Sequence, residues 1–207
     1  MEIDYVLKPY SEIACKFDKT RAYLWKSIKL FIQSKENNAL FLDAGCGNGK
    51  NMMIKSKINC IGFDFCNSNN QICYAKGLEV STINIKNLPY RDSIFDHSFT
   101  VAVLHHIEKE EDRLKAINEL VRVTKTNGHI FIQVWSADIP KNKKFIKIND
   151  NNDYFITWFV KQNHIIKRYY HLFSLTEFTN LLQKIQNIKI LTINEECGNW
   201  YTIIQKL

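Results

Sequence analysis

The sequence lacks the features that mark membrane and secreted proteins. No run approaches the ~20 consecutive apolar residues that a membrane span needs. The segment Met1–Pro9 has no apolar core, so we expect no signal peptide. We therefore expect a soluble chain in the cytoplasm, with the nucleus as a second compartment.

Cysteine pairs at metal-binding spacing are also missing. No two of the six cysteines form a C-x-x-C pair, which predicts reduced thiols and neither a zinc site nor a disulfide framework. The cysteines are scattered over the chain at Cys15, Cys46, Cys60, Cys66, Cys73 and Cys197.

Length and charge indicate the number of domains and the class of partner. A chain of 207 residues without internal repeats predicts one domain, 1–207, that is large enough for a full core. Its 45% apolar and 24% charged content is ordinary for a globular protein. The net charge of +7 suits a polyanionic partner such as RNA, although charge alone does not establish one.

A glycine-rich turn lies in the segment Leu40–Lys50. A short apolar run ends in an acid, and Gly45, Gly47 and Gly49 follow on alternate positions. This pattern predicts a buried strand that turns sharply into a helix, with backbone free of Cβ atoms to approach a ligand. Open α/β sheets bind ligands at this place, outside the carboxyl ends of their strands.

Strands alternate with helices along most of the chain, which predicts a mainly parallel sheet with right-handed crossovers. The expected strands are Ala39–Asp43, Asn59–Asp64, Leu78–Ile85, Phe95–Val103, Ile130–Trp135, Ile188–Asn194 and Trp200–Gln205. The expected helices are Tyr10–Gln33 with a break at Thr20, Asn48–Ser56, Asn67–Ala75 and Lys109–Lys125 with a stop at Asn127–Gly128.

The pattern lapses between the fifth strand and a last helix. Lysines 141, 143, 144 and 147 lie in a polar stretch that extends to Asp153 and is either a solvated loop or an RNA-facing loop. The segment from Ser174 to Glu177 is a capping box, and Phe173 and Phe178 are placed as its hydrophobic staple.

The spacing of the glycines limits the class of ligand that the turn can bind. The pattern G-x-G-x-G is not the dinucleotide pattern G-x-G-x-x-G. It is not a phosphate loop either, because Ala44 and Asn51 replace the required glycine and the required serine or threonine. Asp64 ends the second strand beside the turn, where its carboxylate can accept both hydroxyls of a ribose.

Three elements together, the glycine turn, Asp64 and the segment Asn84–Pro89 ahead of Phe95 and Asp96, resemble the class I S-adenosylmethionine-dependent methyltransferases. The resemblance implies a Rossmann-like fold, with a seven-stranded mainly parallel sheet, helices on both faces and an antiparallel last strand. It also implies S-adenosylmethionine as the cofactor. The expected parts are a helical cap (1–36), a cofactor-binding core (39–136), a substrate-side loop region (137–173) and a C-terminal helix with strands (174–207).

The same resemblance implies cofactor contacts. The acid before the glycines and the glycine backbone hold the methionine end, the acid after the second strand holds the ribose, and Asn84 replaces an acid that accepts from the adenine amino group. An amide oxygen is still an acceptor. The expected cofactor-binding residues are Tyr10, Asp43, Gly45, Gly47, Gly49, Asp64, Asn84, Ile85 and Val101.

More specific segments resemble one family, the eukaryotic tRNA wobble-uridine carboxymethyl methyltransferases. They are the N-terminal pattern Tyr10–Arg21, Val103–His106, Asp153–Trp158, Arg168–Phe173 and Asn199–Tyr201. The resemblance implies esterification of 5-carboxymethyluridine in the tRNA anticodon. It also implies a heterodimer with a small zinc-binding activator subunit, whose zinc belongs to the partner.

The resemblance also implies a substrate site. Arg21 and Arg168 are expected to hold the carboxymethyl group or a nearby phosphate, and the uridine pocket is expected to consist of His106, Tyr169, His171 and Trp200. Tyr169, Tyr170 and Trp200 are alternatively core aromatics. His105 and His106 are adjacent, and in an extended segment only one faces the cofactor, for which we favour His106.

Two other functions stay open. A methyltransferase of carbon, amine or phenol groups in a small molecule would need a general base such as His105 or His106. A carboxylate is ionised at pH 7 and needs none. An RNA-binding protein on a catalytically retired methyltransferase fold is the third interpretation, against which the intact glycine turn and Asp64 stand.

Overall fold

The computed structural model describes residues 2–20, 23–54, 59–161 and 164–207. The N-terminal helix begins with a π-helical segment, Ile3–Leu7, and continues as α1, Lys8–Thr20. Its described part extends to Thr20, residues 23–25 are not helical, and α2 spans Lys26–Gln33, so the predicted break near Thr20 is confirmed.

The described residues form ten strands and three further helices. The strands are β1 Leu40–Ala44, β2 Asn59–Asp64, β3 Val80–Thr82, β4 Phe95–Val101, β5 Thr124–Trp135, β6 Phe145–Lys147, β7 Asp153–Lys161, β8 His164–His171, β9 Ile188–Glu195 and β10 Asn199–Lys206. The helices are α3 Asn67–Ala75, α4 Glu110–Val123 and α5 Leu175–Gln183.

Seven strands form the main sheet in the order β3-β2-β1-β4-β5-β10-β9. The strands from β1 to β5 pair in parallel, and β10 runs antiparallel to both of its neighbours. Side chains of α4 and α5 pack on one face of the sheet, and side chains of α2 pack on the other. The predicted fold, a seven-stranded mainly parallel sheet with helices on both faces and an antiparallel last strand, is confirmed.

The local signals of the last helix are confirmed. Ser174 begins the capping box, since its Oγ accepts a hydrogen bond from the Glu177 N–H at 3.1 Å. The rings of Phe173 and Phe178 lie 5.8 Å apart and form the hydrophobic staple. Both rings are buried, so the cap and the staple fix the helix on the core.

The second sheet, β6-β7-β8, corrects the prediction of a loop region over 137–173. Its strands pair antiparallel. Tyr154, Ile156 and Tyr170 lie on one face and form a buried cluster with Leu172 and side chains that follow β5. Many charged residues lie in and around this segment. The alternation of apolar side chains that favours strand pairing was therefore not recognised in the sequence.

Two predicted elements differ from the structure: one expected helix is not formed by its described residues, and one strand ends early. The described part of the predicted helix Asn48–Ser56, up to Ile54, forms turns, and its last residues lie outside the described part of the chain. Strand β4 ends at Val101 and not at Val103, because Ala102 has a φ of 62° and breaks the extended backbone.

The end of α4 also differs from the prediction. The helix ends at Val123 and β5 begins at the next residue, so the predicted stop at Asn127–Gly128 lies inside the strand. The third strand is only three residues long, Val80–Thr82. Asn127 has a φ of 65°, and the β4–β5 ladder shifts its register between Phe95 and His97, so this segment interrupts the strand pairing and does not end the helix.

Candidate active site

A cavity of about 320 Å³ lies at the carboxyl ends of β1, β2 and β4, beneath the N-terminal helix. This is the edge at which open α/β sheets bind their ligands. Seven of the nine predicted cofactor-binding residues line it: Tyr10, Gly45, Gly47, Asp64, Asn84, Ile85 and Val101.

The glycine turn forms the floor of the cavity. Gly45 has a φ of 82°, and a Cβ there would lie 2.2 Å from the side chain of Val103. Gly47, with a φ of 55°, has open space where a Cβ would lie and presents bare backbone to the cavity. Gly49 does not line the cavity. Its φ is 75°, which favours glycine, and a Cβ there would displace the Leu78 Cδ1 methyl, 2.2 Å away.

Asp43 lies fully buried at the end of β1, directly before the glycine turn, and it does not line the cavity. Neither of its carboxyl oxygens has a hydrogen-bond partner in the described part of the chain. Burial, together with the nearby Cys73 and Asp64, raises its pKa well above the usual value. An unpartnered acceptor beneath the turn fits a ligand that brings an N–H donor or a positive charge.

Asp64 is held rigidly at the end of β2. Its Oδ2 accepts from the Gly47 N–H at 2.9 Å, and its Oδ1 accepts from the Cys66 N–H at 2.8 Å and from Asn69 at 3.3 Å. Burial raises the pKa of this carboxyl, and these hydrogen bonds oppose the rise. A carboxylate oxygen has room for further donors, so the group can accept two ribose hydroxyls from the cavity.

Asn84 also lines the cavity, with Ile85 next to it. The Asn84 Oδ1 accepts from the Lys86 N–H at 3.0 Å, which orients the amide and leaves one acceptor position on that oxygen. The apolar rings and chains of Phe63, Ile85 and Val101 complete a slot of the kind that holds a purine.

A cluster of polar side chains occupies the far end of the cavity. The Nη1 of Arg168 donates to the hydroxyls of Tyr170 and Tyr10, at 2.9 Å and 3.2 Å. The Tyr10 hydroxyl also lies 3.1 Å from that of Tyr170 and 3.0 Å from the Nε2 of His106. Tyr10, His106 and Tyr170 line the cavity, and the guanidinium lies behind the two hydroxyls.

Proton positions in this cluster follow from one carbonyl. The Tyr169 carbonyl can only accept, so the Nδ1 of His106, 2.8 Å away, carries the proton. Burial, with the positive charge of Arg168, lowers the pKa of His106 to about 3, so the ring is neutral at pH 7. Its Nε2 then accepts from the Tyr10 hydroxyl, whose oxygen accepts from Tyr170 and Arg168.

Arg168 carries an unneutralised charge. The side chain is 3% exposed, and no carboxylate of the described residues lies within 4.0 Å of its guanidinium. Its Nε has no hydrogen-bond partner among those residues. The rings of Trp158, Tyr10 and Tyr170 surround it at 5.1–5.5 Å. A buried cation with aromatic neighbours and no anion is costly unless an anionic ligand completes it.

Three residues predicted for the uridine pocket lie outside the cavity lining. The Tyr169 hydroxyl donates to Asp153 at 2.6 Å, and His171 bridges Asp153 and Glu177 at 2.8 Å and 2.5 Å. The indole of Trp200 donates to the Phe173 carbonyl at 3.0 Å. Of the three residues with the alternative of a core aromatic, Tyr169 is buried outside the cavity lining, Trp200 is half-buried outside it, and Tyr170 lines it. Arg21 lies outside the described residues.

The cavity wall also contains residues that the sequence analysis did not assign to the uridine pocket. The ring of His105 stacks on Tyr170 at 4.9 Å, with Trp135 4.8 Å from the same tyrosine. Both His105 and His106 line the cavity, which corrects the expectation that only one would, because Leu104–His106 forms a 3₁₀ turn and not an extended segment. Cys46, next to the glycines, lines it as well.

Two absences hold for the described residues. None of their helices is long and apolar enough to cross a membrane. They contain no group of three or more histidine, cysteine, aspartate or glutamate side chains that could hold a metal ion.

Sequence comparisons agree with the geometry of the site. Residues 42–132 match the family model "Methyltransferase domain". The tRNA (carboxymethyluridine(34)-5-O)-methyltransferase of Arabidopsis thaliana is 41% identical over 138 residues, 67% of this chain and 34% of that protein. The protein of the same name from Schizosaccharomyces pombe is 27% identical over 224 residues, 99% of this chain and 97% of that protein. The chain spans about a third of the length of the Arabidopsis relative.

Solved structures share the fold. An S-adenosylmethionine-dependent methyltransferase from Clostridium acetobutylicum superposes with a TM-score of 0.68 at 17% identity, over 95% of this chain and 98% of that one. A chain of the Haloferax volcanii complex between the Trm112 methyltransferase activator and a methyltransferase superposes with a TM-score of 0.71 at 15% identity, over 97% of each chain.

The glycine turn, the two acids at the ends of β1 and β2, the strand order and the sequence relatives agree. The chain therefore belongs to the class I S-adenosylmethionine-dependent methyltransferases, in the sequence family of the tRNA carboxymethyluridine methyltransferases.

Proposed function

We propose that the protein transfers a methyl group from S-adenosylmethionine to the carboxylate of 5-carboxymethyluridine at the wobble position of a tRNA anticodon. The observation that carries this proposal is Arg168, a buried guanidinium at the end of the cavity with no carboxylate partner among the described residues. The names of the sequence relatives and the net charge of +7 support it.

The residues at the glycine turn fit the cofactor. Asp43 and the bare backbone of Gly45 and Gly47 would hold the methionine end, Asp64 the ribose hydroxyls, and Asn84 the adenine edge. When bound, S-adenosylmethionine supplies an electrophilic methyl group on a positively charged sulfur. The protein has to position this group and to exclude water from it.

The polar cluster fits a carboxylate acceptor. An ionised carboxylate needs no general base, and the charge of Arg168 attracts it to the cavity end. Tyr10 and Tyr170 stand between the cavity and the guanidinium, so the carboxylate would lie one hydroxyl away from the positive charge. The Tyr170 hydroxyl can donate to it by releasing its hydrogen bond to Tyr10. The indirect contact limits how strongly the guanidinium stabilises the substrate carboxylate before the reaction. This matters because the negative charge of the carboxylate disappears when the methyl group is transferred.

The geometry disfavours a small-molecule acceptor that must lose a proton. His106 is neutral, but its Nε2 is occupied by the Tyr10 hydroxyl and its pKa of about 3 makes it a weak base. The Nδ1 of His105 accepts from the Trp135 N–H at 3.4 Å. Neither histidine is arranged to take a proton from an amine or a phenol.

We further propose that a small zinc-binding activator subunit completes the enzyme in the cytoplasm or nucleus. The support is the fold shared with a chain of the Haloferax volcanii activator complex. Co-expression of the chain with the organism's own candidate subunit and co-purification would test it. A chain that is fully active alone and forms no complex would contradict this part.

The decisive experiment uses tRNA that carries 5-carboxymethyluridine, S-adenosylmethionine and the purified protein with its partner. Mass spectrometry of the nucleosides is expected to show the methyl ester at the wobble position. Asp64→Asn is expected to abolish the product in the same assay. Absence of ester with the wild-type protein, despite cofactor binding by calorimetry, would refute the proposed function.

A further inference from the structure

The hydrogen bond between His106 and Tyr169 joins two parts of the chain that form the polar end of the cavity. The Nδ1 of His106 donates to the Tyr169 carbonyl at 2.8 Å, and this contact orients the Nε2 that accepts from Tyr10. His106 belongs to the 3₁₀ turn after β4, whereas Tyr169 lies on β8 next to Arg168. The geometry of the polar cluster therefore depends on how the turn and the strand are held.

Arg113, near the start of α4, holds the turn. Its Nε donates to the Ile107 carbonyl at 2.9 Å, and its Nη2 donates to the Glu108 carbonyl at 2.7 Å. Its Nη1 donates to the Oε1 of Glu177 on α5 at 3.4 Å. The side chain is buried and each of its three nitrogens has an acceptor. The guanidinium therefore fixes the two residues that directly follow His106.

Asp153, at the start of β7, holds the strand. Its Oδ1 accepts from the Tyr169 hydroxyl at 2.6 Å and from the His171 Nδ1 at 2.8 Å, and its Oδ2 accepts from Asn149 at 2.7 Å. Burial alone would raise the pKa of Asp153, but these three hydrogen bonds together hold it below its usual value. One ionised carboxylate therefore fixes two side chains at alternate positions of β8.

His171 joins these two sets of contacts. Its Nε2 lies 2.5 Å from the Oε1 of Glu177, the same oxygen that accepts from Arg113. A continuous polar chain therefore connects the turn to β8, and its members are, in order, Arg113, Glu177, His171, Asp153 and Tyr169. All of them except Glu177 are buried. Buried ionic groups often add no net stability over apolar packing, but a fully hydrogen-bonded set restricts the geometry of the elements that it joins.

We propose that this polar chain is a positioning network, which fixes the 3₁₀ turn relative to β8 and so aligns His106, Tyr10 and Arg168 for the acceptor carboxylate. It holds both partners of the hydrogen bond between His106 and Tyr169. None of its five members lines the cavity, so they act through His106 and not on the substrate. The inference rests on the proposed function, because it names what positions the acceptor end of that site.

The first experiment measures single-turnover methyl transfer to an anticodon stem-loop that carries 5-carboxymethyluridine, with the protein and its partner. Tyr169→Phe removes one hydroxyl and keeps the carbonyl, and Arg113→Lys keeps the charge without the planar fork. Each variant is expected to lower the rate about tenfold, while the Kd for S-adenosylmethionine in calorimetry stays unchanged.

The matched control is Arg122→Lys at the other end of α4. Arg122 holds the Leu88 and Tyr90 carbonyls at 2.9 Å and 2.7 Å and pairs with a glutamate, as Arg113 does, but none of these residues lines the cavity. The control is expected to transfer methyl groups at the wild-type rate. An equal loss in Arg122→Lys, or wild-type rates in both Tyr169→Phe and Arg113→Lys, would overturn the inference.

A double-mutant cycle distinguishes positioning from a general loss of stability. His106 takes no proton in the proposed reaction, so His106→Ala is expected to keep a measurable rate. In that background Tyr169→Phe is expected to cause no further loss, because the ring through which the polar chain acts is missing. The same tenfold loss in both backgrounds would show that the polar chain does not act through His106.

Nuclear magnetic resonance separates this inference from the proposed function, because it needs no substrate. The His106 Nδ1–H is hydrogen-bonded and buried, so its proton is expected to exchange slowly with water. Tyr169→Phe and Arg113→Lys are expected to accelerate this exchange at least about tenfold, while the backbone amides of β4 exchange as in the wild type. If the wild type esterifies no RNA, the proposed function fails, and the exchange rates alone decide whether the polar chain positions His106.

Discussion

At the scale of single residues, two buried ionisable groups stand out because the described chain leaves them unsatisfied. Asp43 has no donor for its carboxyl, and Arg168 has no carboxylate for its charge. Buried polar groups without partners reduce stability, so their presence just behind the cavity lining, beneath the glycine turn and behind two tyrosine hydroxyls, indicates ligands of matching charge. Replacing either residue by a neutral one should therefore stabilise the unliganded protein and weaken ligand binding.

Asp43→Asn is expected to stabilise the unliganded protein and to weaken cofactor binding. Its carboxyl has a raised pKa when folded, so above the unfolded pKa of about 4 the ionised group destabilises the fold, increasingly until pH passes the folded pKa. At pH 8 the variant should melt about 2–4 °C higher, the effect of about 1 kcal/mol. The Kd for S-adenosylmethionine should rise at least about tenfold. An unchanged Kd in calorimetry would contradict the assignment.

Arg168→Gln is expected to lower kcat/KM for the carboxymethyluridine RNA about a hundredfold, chiefly through KM, because the variant removes the charge that attracts the carboxylate. The Kd for S-adenosylmethionine should not change. Arg168→Lys keeps the charge and should recover part of the loss. An unchanged KM with abolished kcat would show that the residue acts elsewhere.

The single-turnover rate is expected to be flat between about pH 5.5 and 8. The substrate carboxylate is ionised above about pH 4, and His106, with a pKa of about 3, does not titrate in this range. The free energy of unfolding, unlike the rate, depends on pH. The His106 imidazole takes a proton near pH 6.5 in the unfolded chain but only near pH 3 in the folded protein. His106 therefore lowers the free energy of unfolding as the pH falls from about 6.5 to about 3. A rate that drops near pH 6.5 would favour a histidine base.

At the scale of elements, the glycine turn and the 3₁₀ turn after β4 build the cavity together. Gly45 needs its positive φ, and it leaves the space that Val103 occupies. The break at Ala102 turns the following chain so that two histidines reach one wall. The edge of the sheet therefore supplies the backbone of the site, and the two turns orient the side chains that line the cavity.

Gly45→Ala is expected to abolish cofactor binding and to lower stability by about 1–3 kcal/mol, because strain at positive φ adds to a 2.2 Å contact with Val103. Gly77→Ala is the matched control: its φ is 73°, but a Cβ there meets nothing within 4 Å and the residue lies outside the cavity. Calorimetry and thermal melting should separate the two. Equal loss of binding in both variants would mean that backbone strain alone explains the effect.

At the scale of the whole molecule, the N-terminal helix closes the cavity over the sheet. Glu2 binds Lys86 at 3.0 Å, and Asp18 contacts both Lys76 and Asn48 at 2.7 Å and 2.9 Å. These contacts tie the helix to loops that line the cavity on two sides. Ligand binding therefore stabilises contacts across the chain.

Saturating S-adenosylmethionine is expected to raise the free energy of unfolding by about 2.7 kcal/mol at a hundredfold excess over its Kd. For a chain of this length the melting temperature should rise by about 5–10 °C. Differential scanning fluorimetry gives the measurement, with adenosine as a partial ligand for comparison. No shift in the presence of the partner would favour the catalytically retired interpretation.

The sequence alone determined the sheet and the cofactor edge of the site. Alternating apolar runs and glycine spacing are local signals, and strand order follows from short crossovers, so Asp64 and the glycine turn were predictable from neighbours in the chain. Tertiary structure decided the substrate end. Tyr10, His106 and Arg168 are separated by dozens of residues and meet only when α1, the 3₁₀ turn and β8 pack together. The same packing turned Trp200 and His171 away from the cavity, because each finds a hydrogen-bond partner behind its wall.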